Sequence, residues 1–205
     1  MMLLMTKLVK PFIFLLCLLP LLLLSRNFYL DELGANPFEV LTRSTGEWAL
    51  RFLLITLAMT PLRGITGAAW PLRFRRMLGL YAFFYVCVHL LTYIWLDHFF
   101  DWGEVIRDII KRPYITFGML AFVLLVPLAI TSTKKMMKRL GRRWKSLHKL
   151  IYVISILGSL HFLLLVKADL REPLIYSLIL AALLLVRFKP MLLGKLRFSL
   201  KQKRA

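Results

Sequence analysis

A chain of 205 residues that is 60% hydrophobic, with mean hydropathy +0.72, is too apolar and too rich in long aliphatic runs for a soluble domain of its size, so the bilayer is its solvent. The net charge of +19 does not point to nucleic acid: segments 7–10, 63–76, 134–149 and 187–204 hold two, four, eight and seven basic residues, 21 of the 29, and contain no acid. A distribution of that kind is explained by membrane topology.

A spanning helix needs about 20 mostly apolar residues, and six stretches qualify: 8–30, 45–62, 77–96, 114–131, 147–166 and 173–188. The apolar run of the first, 11–24, follows Lys7 and Lys10. No small-residue cleavage site comes after its apolar run, where Ser25, Arg26 and Asn27 stand, so it reads as a retained helix and not a signal peptide. Pro20 predicts a kink within it. Ser44, with Glu47 three residues on, predicts a capping box at the start of the second helix, and Pro61 its end. After the third helix, the outer loop 97–112 carries Trp102 and the apolar pairs Val105-Ile106 and Ile109-Ile110; a short interfacial helix and a plain connecting loop both fit. Pro113 and Pro173 suit the first turns of the fourth and sixth helices, Pro127 predicts a kink in the fourth, and Pro190 follows the sixth. The expected fold is all-α, a six-helix polytopic bundle in one domain spanning 1–205, with a basic tail at 189–205 and no internal repeat.

The acids alternate with the basic segments. Asp31, Glu32, Glu39 and Glu47 come first, then Asp97, Asp101, Glu104 and Asp108, then Asp169 and Glu172. By the positive-inside rule the basic loops and both termini face the cytoplasm, which predicts a multi-pass protein of the bacterial inner membrane touching acidic lipid.

Ionisable residues inside apolar helices are costly and mark function by default. Of four histidines, His98 lies at the outer end of the third helix beside Asp97 and reads as an interfacial residue. His89 stands 13 residues beyond Arg76, about 20 Å above the cytoplasmic edge, and His161 stands 16 beyond Lys145, about 24 Å above it. Helices three and five run in the same direction. Two neutral imidazoles at one level across a bundle core suit the axial positions of haem iron, and with both positions filled the iron passes electrons instead of binding oxygen. A pair of histidines that merely bond carbonyls across helix interfaces is the structural alternative. His148 lies about 20 Å below His161 and about 220° around an ideal helix from it, so the two do not share a face. Thirteen positions below His89 stands Arg76. A second, inner haem on His148 therefore needs another ligand, with Met77, Met136 and Met137 as candidates, or is five-coordinate, and stays open beside a purely interfacial role. Arg51 in the second helix suits a haem propionate or the outer surface equally. The basic run Lys134 to Lys145 suits a flavin phosphate, an acidic reductase, or simply lipid.

Several strings carry a resemblance: Leu33-Gly34-Ala35-Asn36-Pro37, Thr60-Pro61-Leu62, Arg75-Arg76-Met77-Leu78-Gly79-Leu80 leading to His89-Leu90, Arg112-Pro113-Tyr114-Ile115-Thr116, Thr131-Ser132-Thr133, Leu140-Gly141-Arg142-Arg143-Trp144 leading to Leu147-His148, then His161 and Pro173-Leu174-Ile175-Tyr176. In this order and spacing, over nearly the whole chain, the sequence resembles the MsrQ (YedZ) family of haem-binding subunits, within the ferric reductase-like transmembrane superfamily. The resemblance implies electron transfer through haem b from the quinone pool or a cytosolic flavin reductase. The implied acceptor is MsrP, a periplasmic molybdopterin enzyme that reduces methionine sulfoxide in oxidised proteins, so catalysis sits on the partner. It also implies FMN, and haem-associated roles for His89, His148 and His161. The superfamily's NADPH oxidases carry two histidines on helix three where this chain has one. The 17 residues after Phe188 hold no nucleotide-binding domain, so a separate donor is expected.

Two other functions fit parts of the pattern. A stand-alone ferric or cupric reductase predicts a haem spectrum and fast oxidation by chelated metal. A proton-linked transporter using the histidines as a relay predicts no haem, and the spans hold few carboxylates for a proton path.

Overall fold

The structure, a computed structural model, describes residues 2–202 and the side chains of residues 9–188. The described chain is helical throughout: α1 (Met2–Tyr29), α2 (Pro37–Thr66), α3 (Trp70–Thr92) running on into a π-helical turn (Tyr93–Asp97), α4 (Trp102–Lys111), α5 (Pro113–Ile130), α6 (Lys134–Leu140), α7 (Arg142–Leu147), α8 (Leu150–Leu165) and α9 (Arg171–Gln202). Five segments are long and apolar enough to cross a bilayer: Val9–Tyr29, Pro37–Thr66, Trp70–Asp97, Pro113–Ile130 and Arg142–Leu165. The protein is an all-α polytopic membrane protein. α9 occupies the place of the sixth expected span, and the side chains of the basic tail 189–205 lie outside the described residues.

Several boundaries differ from expectation; α3, for one, begins at Trp70 and not near 77. α2 begins at Pro37, eight residues before the expected start, because Asn36 caps it by accepting from the Glu39 N–H at 3.4 Å. Ser44 therefore sits within the helix, and Glu47 pairs with Arg43 and Arg51 instead of closing a capping box. Pro61 does not end α2, which runs to Gly67 at φ 67. A proline at 61 frees the Leu57 carbonyl, and Arg187 Nη1 of α9 bonds that oxygen at 3.5 Å; a membrane helix tolerates proline where a neighbour satisfies the freed group. The helix of α9 continues through Pro190. The outer loop holds a helix, α4, capped by Asp101 and presenting Trp102, Ile106 and Ile110 outward while Val105 and Asp108 are buried.

The core lies between α2 and α3. Phe52 stacks between Tyr81 and Tyr85, with ring centroids at 5.6 and 5.2 Å, and Gly79 brings α3 against Thr56. Two phenols tie α1 to this core. Tyr81 donates to the Phe14 carbonyl at 2.7 Å, and the Tyr85 hydroxyl accepts from Leu21 N–H at 3.3 Å and donates to Cys17 O at 2.9 Å. Next to Pro20 a side chain thus enters the ladder of α1, the kind of interruption that bends helices. On the other side α5 packs along α8, and Ser159 of α8 bonds Ser177 of α9 at 2.9 Å.

Candidate metal centre

α3 and α8 each turn one histidine inward, and the His89 and His161 rings lie with centroids 6.0 Å apart at an interplanar angle of 72°. Two metal–imidazole bonds of about 2 Å, each extended by about 1.1 Å to its ring centre, set centroids about 6 Å apart across a shared ion. Each ring is aimed in the same way. His89 Nδ1 lies 2.8 Å from the Thr42 carbonyl of α2, and His161 Nδ1 lies 2.7 Å from the Tyr114 carbonyl of α5. A carbonyl only accepts, so Nδ1 carries the hydrogen in both rings and the Nε2 lone pair is left to bind a metal.

The glycine one turn beyond each carbonyl explains how the rings come so close to the neighbouring helices. A Cβ on Gly46 would stand 3.0 Å from His89 Cε1 and Nδ1, and one on Gly118 would stand 2.9 Å from His161 Nδ1. A side chain at either position would crowd the imidazole, which must shift to make room. The two seats share a spacing: in each, the carbonyl lies 47 residues before the histidine it holds.

Around the two rings is a cavity of about 940 Å³, at the upper end of the roughly 300–1,000 Å³ typical of ligand sites. Gly46, Ala49, Ala82, Gly118, Ala121 and Gly158 leave it room, and Leu50, Val86, Phe122, Leu125 and Phe162 make it apolar. A Cβ added to Gly158 meets nothing within 4 Å. At the outer end the lining turns polar, with Arg43, Glu47, Asp97, His98, Asp108, Arg112 and Lys167. Among the described residues no group of three or more His, Cys, Asp or Glu could cage an ion. Two imidazoles alone beside a large apolar space fit a metal that brings its own equatorial ligands. Such a lining would suit a flat apolar macrocycle with acidic substituents, for which Arg43, Arg112 and Lys167 would supply the opposite charge.

The other residues singled out by sequence sit elsewhere. His148 is stacked on Trp144 at 3.9 Å, with Nε2 bonded to Thr131 Oγ1 at 3.1 Å, and it does not line the cavity. Thr131 gives its own hydrogen to Pro127 O at 2.6 Å and so accepts from His148. Of the methionines expected as candidate partners, Met137 receives Arg76 Nη1 at 3.7 Å. Arg51 is held by Glu47 at 2.9 Å and Tyr176 at 2.7 Å, over the Trp48 ring at 4.7 Å; Glu47 lines the cavity, Arg51 does not. His98, expected as an interfacial residue and not a ligand, is among the residues lining the polar end of the cavity, packed on Tyr93 at 4.6 Å. The π-helical turn and the left-handed Phe99 and Phe100, φ 46 and 63, turn the chain to put it there. Such bulky residues in this region cost on the order of 1–3 kcal/mol each and cluster at functional positions.

Residues 45–159 match the ferric reductase like transmembrane component family. Similar proteins include the protein-methionine-sulfoxide reductase heme-binding subunit MsrQ of Rhodospirillum rubrum, 58% identical over 87% of this chain and 86% of that protein. The MsrQ of Herminiimonas arsenicoxydans is 54% identical over 88% of this chain and 84% of its own length. That of Xanthomonas campestris pv. campestris strain 8004 is 60% identical over 75% and 71%. No solved structure matches the chain.

Proposed function

The chain belongs to the MsrQ heme-binding subunits of the ferric reductase-like transmembrane family, and from that premise we propose that His89 and His161 would hold a haem b, through which the chain would pass electrons toward the outer face of the inner membrane. One observation carries the reading: two imidazoles 6.0 Å apart, both with Nδ1 committed to a helix carbonyl and Nε2 free, beside an apolar cavity with a cationic mouth. When bound, the haem supplies one-electron redox chemistry. The protein's part is to fix both rings through Thr42 O and Tyr114 O and to exclude water with α2, α3, α5 and α8. At the mouth, Arg43, Arg112 and Lys167 set cations against the propionates. Arg51 acts one step back, holding Glu47, which in turn pairs with Arg43 at 3.1 Å.

In this reading the chain has six spans with both termini in the cytoplasm, and it is an electron-transfer subunit, not itself the catalyst. The donor is quinol or a cytosolic flavin reductase, and the acceptor is the periplasmic molybdopterin enzyme MsrP, which repairs methionine sulfoxide in oxidised proteins. FMN is proposed on the family's pattern alone. His148 serves a second haem only if it gives up Thr131. The test is a reduced-minus-oxidised spectrum of the detergent-purified chain with haem per chain quantified. We expect a low-spin b-type signal that His89→Ala and His161→Ala abolish; full haem content in both variants would end the assignment. Rapid mixing of the reduced protein with MsrP or with chelated ferric iron then separates electron delivery to a partner from stand-alone metal reduction.

A further inference from the structure

His98 stands at the outer mouth of the cavity and is not needed to hold the cofactor. Its Nε2 lies 3.5 Å from Asp108 Oδ2. Its Nδ1, buried and without a hydrogen-bond partner among the described residues, lies 3.7 Å from Glu104 Oε2. In the neutral ring with its hydrogen on Nε2, the Nδ1 lone pair faces a carboxylate, and a proton on Nδ1 converts that repulsion into an ion pair. Asp108 is a fixed partner: it is buried and also takes Arg112 Nε at 3.1 Å and the Tyr93 hydroxyl at 3.5 Å. Further charges face the mouth from every side, Asp97 on the same turn, Glu39 and Arg43 from α2, and Lys167 with Asp169 from the loop after α8. The π-helical turn and two successive left-handed phenylalanines that aim His98 inward are independent marks of a position held for a purpose.

We propose that His98 is a redox-linked proton site: when one electron enters the His89–His161 centre, one proton from the outer aqueous phase binds His98 Nδ1, and it leaves when the electron leaves. The inference rests on the reading of that centre as a haem site. Negative charge added to a poorly screened cavity favours the charged form of a nearby base, and imidazole is the side chain whose charge ordinarily changes between about pH 5 and 8. The balance is one electron from a one-electron reductant and one proton from water. No other bond forms or breaks, and reoxidation returns both.

The midpoint potential of the haem-loaded full chain, followed spectroscopically from roughly pH 5.5 to 8.5, tests this. The wild-type potential should fall with rising pH, at most by the one-proton, one-electron limit of about 59 mV per unit. His98→Gln should keep the low-spin spectrum and lose the slope. Glu104→Gln, which removes the carboxylate facing Nδ1, should move the sloping region to lower pH. A flat wild-type potential, or a slope that persists in His98→Gln, overturns the proton site while leaving the ligand pair standing; a wild-type protein without a low-spin spectrum overturns both.

Discussion

The two halves of this bundle each hold histidine in an apolar or half-buried helix, yet among the described residues the half with His89 and His161 is the one with the geometry of a metal site. His89 and His161 are each backed by a carbonyl on Nδ1, seated on a glycine, and turned into a cavity. Among the described residues His148 shows a different setting: its Nε2 is bonded to Thr131, its ring is covered by Trp144, and it is not part of the lining shared by His89 and His161. A ligand is made less by a histidine at a suitable depth than by a neighbour that fixes its tautomer and a space for what it binds.

The strongest way to break that comparison is to delete the rings. Haem quantification should find the low-spin signal essentially gone in His89→Ala and His161→Ala and largely kept in His148→Ala; equal losses in all three would put the inner histidine on the same footing. Next in size are the seats. Gly46→Val and Gly118→Val should each lower low-spin content several-fold, with the alanine variants intermediate, because even a Cβ falls at 2.9–3.0 Å from the ring. Gly64→Ala, where an added Cβ meets nothing within 4 Å, is the control and should match wild type by absorbance. A smaller effect is expected at the inner histidine: Thr131→Val removes its partner at a stability cost of about 1 kcal/mol, with the haem spectrum unchanged. The smallest is Arg187→Met, which strands the Leu57 carbonyl freed by Pro61. It should lower the thermal midpoint by no more than the same kind of single hydrogen bond, about 1 kcal/mol, with haem content intact.

Much of this site was legible in one dimension. Counting from Arg76 and from Lys145 puts His89 and His161 within about 4 Å of one level, and the two rings lie 6.0 Å apart. The mismatch in angle and partner at His148 was legible too, since helix three offers Arg76 where a second histidine would have to be. The glycine seats were not. Gly46 and Gly118 look like ordinary small residues in apolar helices until one knows which helix faces which, and the shared 47-residue offset acquires meaning only from that pairing. The mouth of the cavity was missed because its charges come from four separate segments, and His98 because a π-helical turn shifts it off the face that regular helical counting assigns. The start of α2 was missed for a local reason: Ser44 and Glu47 have the spacing of a cap, but Asn36-Pro37 is the stronger stop to the preceding chain and lies earlier.

The matched seats have a consequence for biogenesis. One ligand belongs to the α2–α3 pair and the other to α5–α8, and the seam between the pairs runs through the cavity. Iron held by both rings, as proposed, would staple that seam and make loading part of assembly: the apoprotein should melt earlier and be cut faster by protease along α4 than the loaded form. In the cell, a chain made faster than the prosthetic group is supplied would be an open clasp, and quality-control proteases would meet it first.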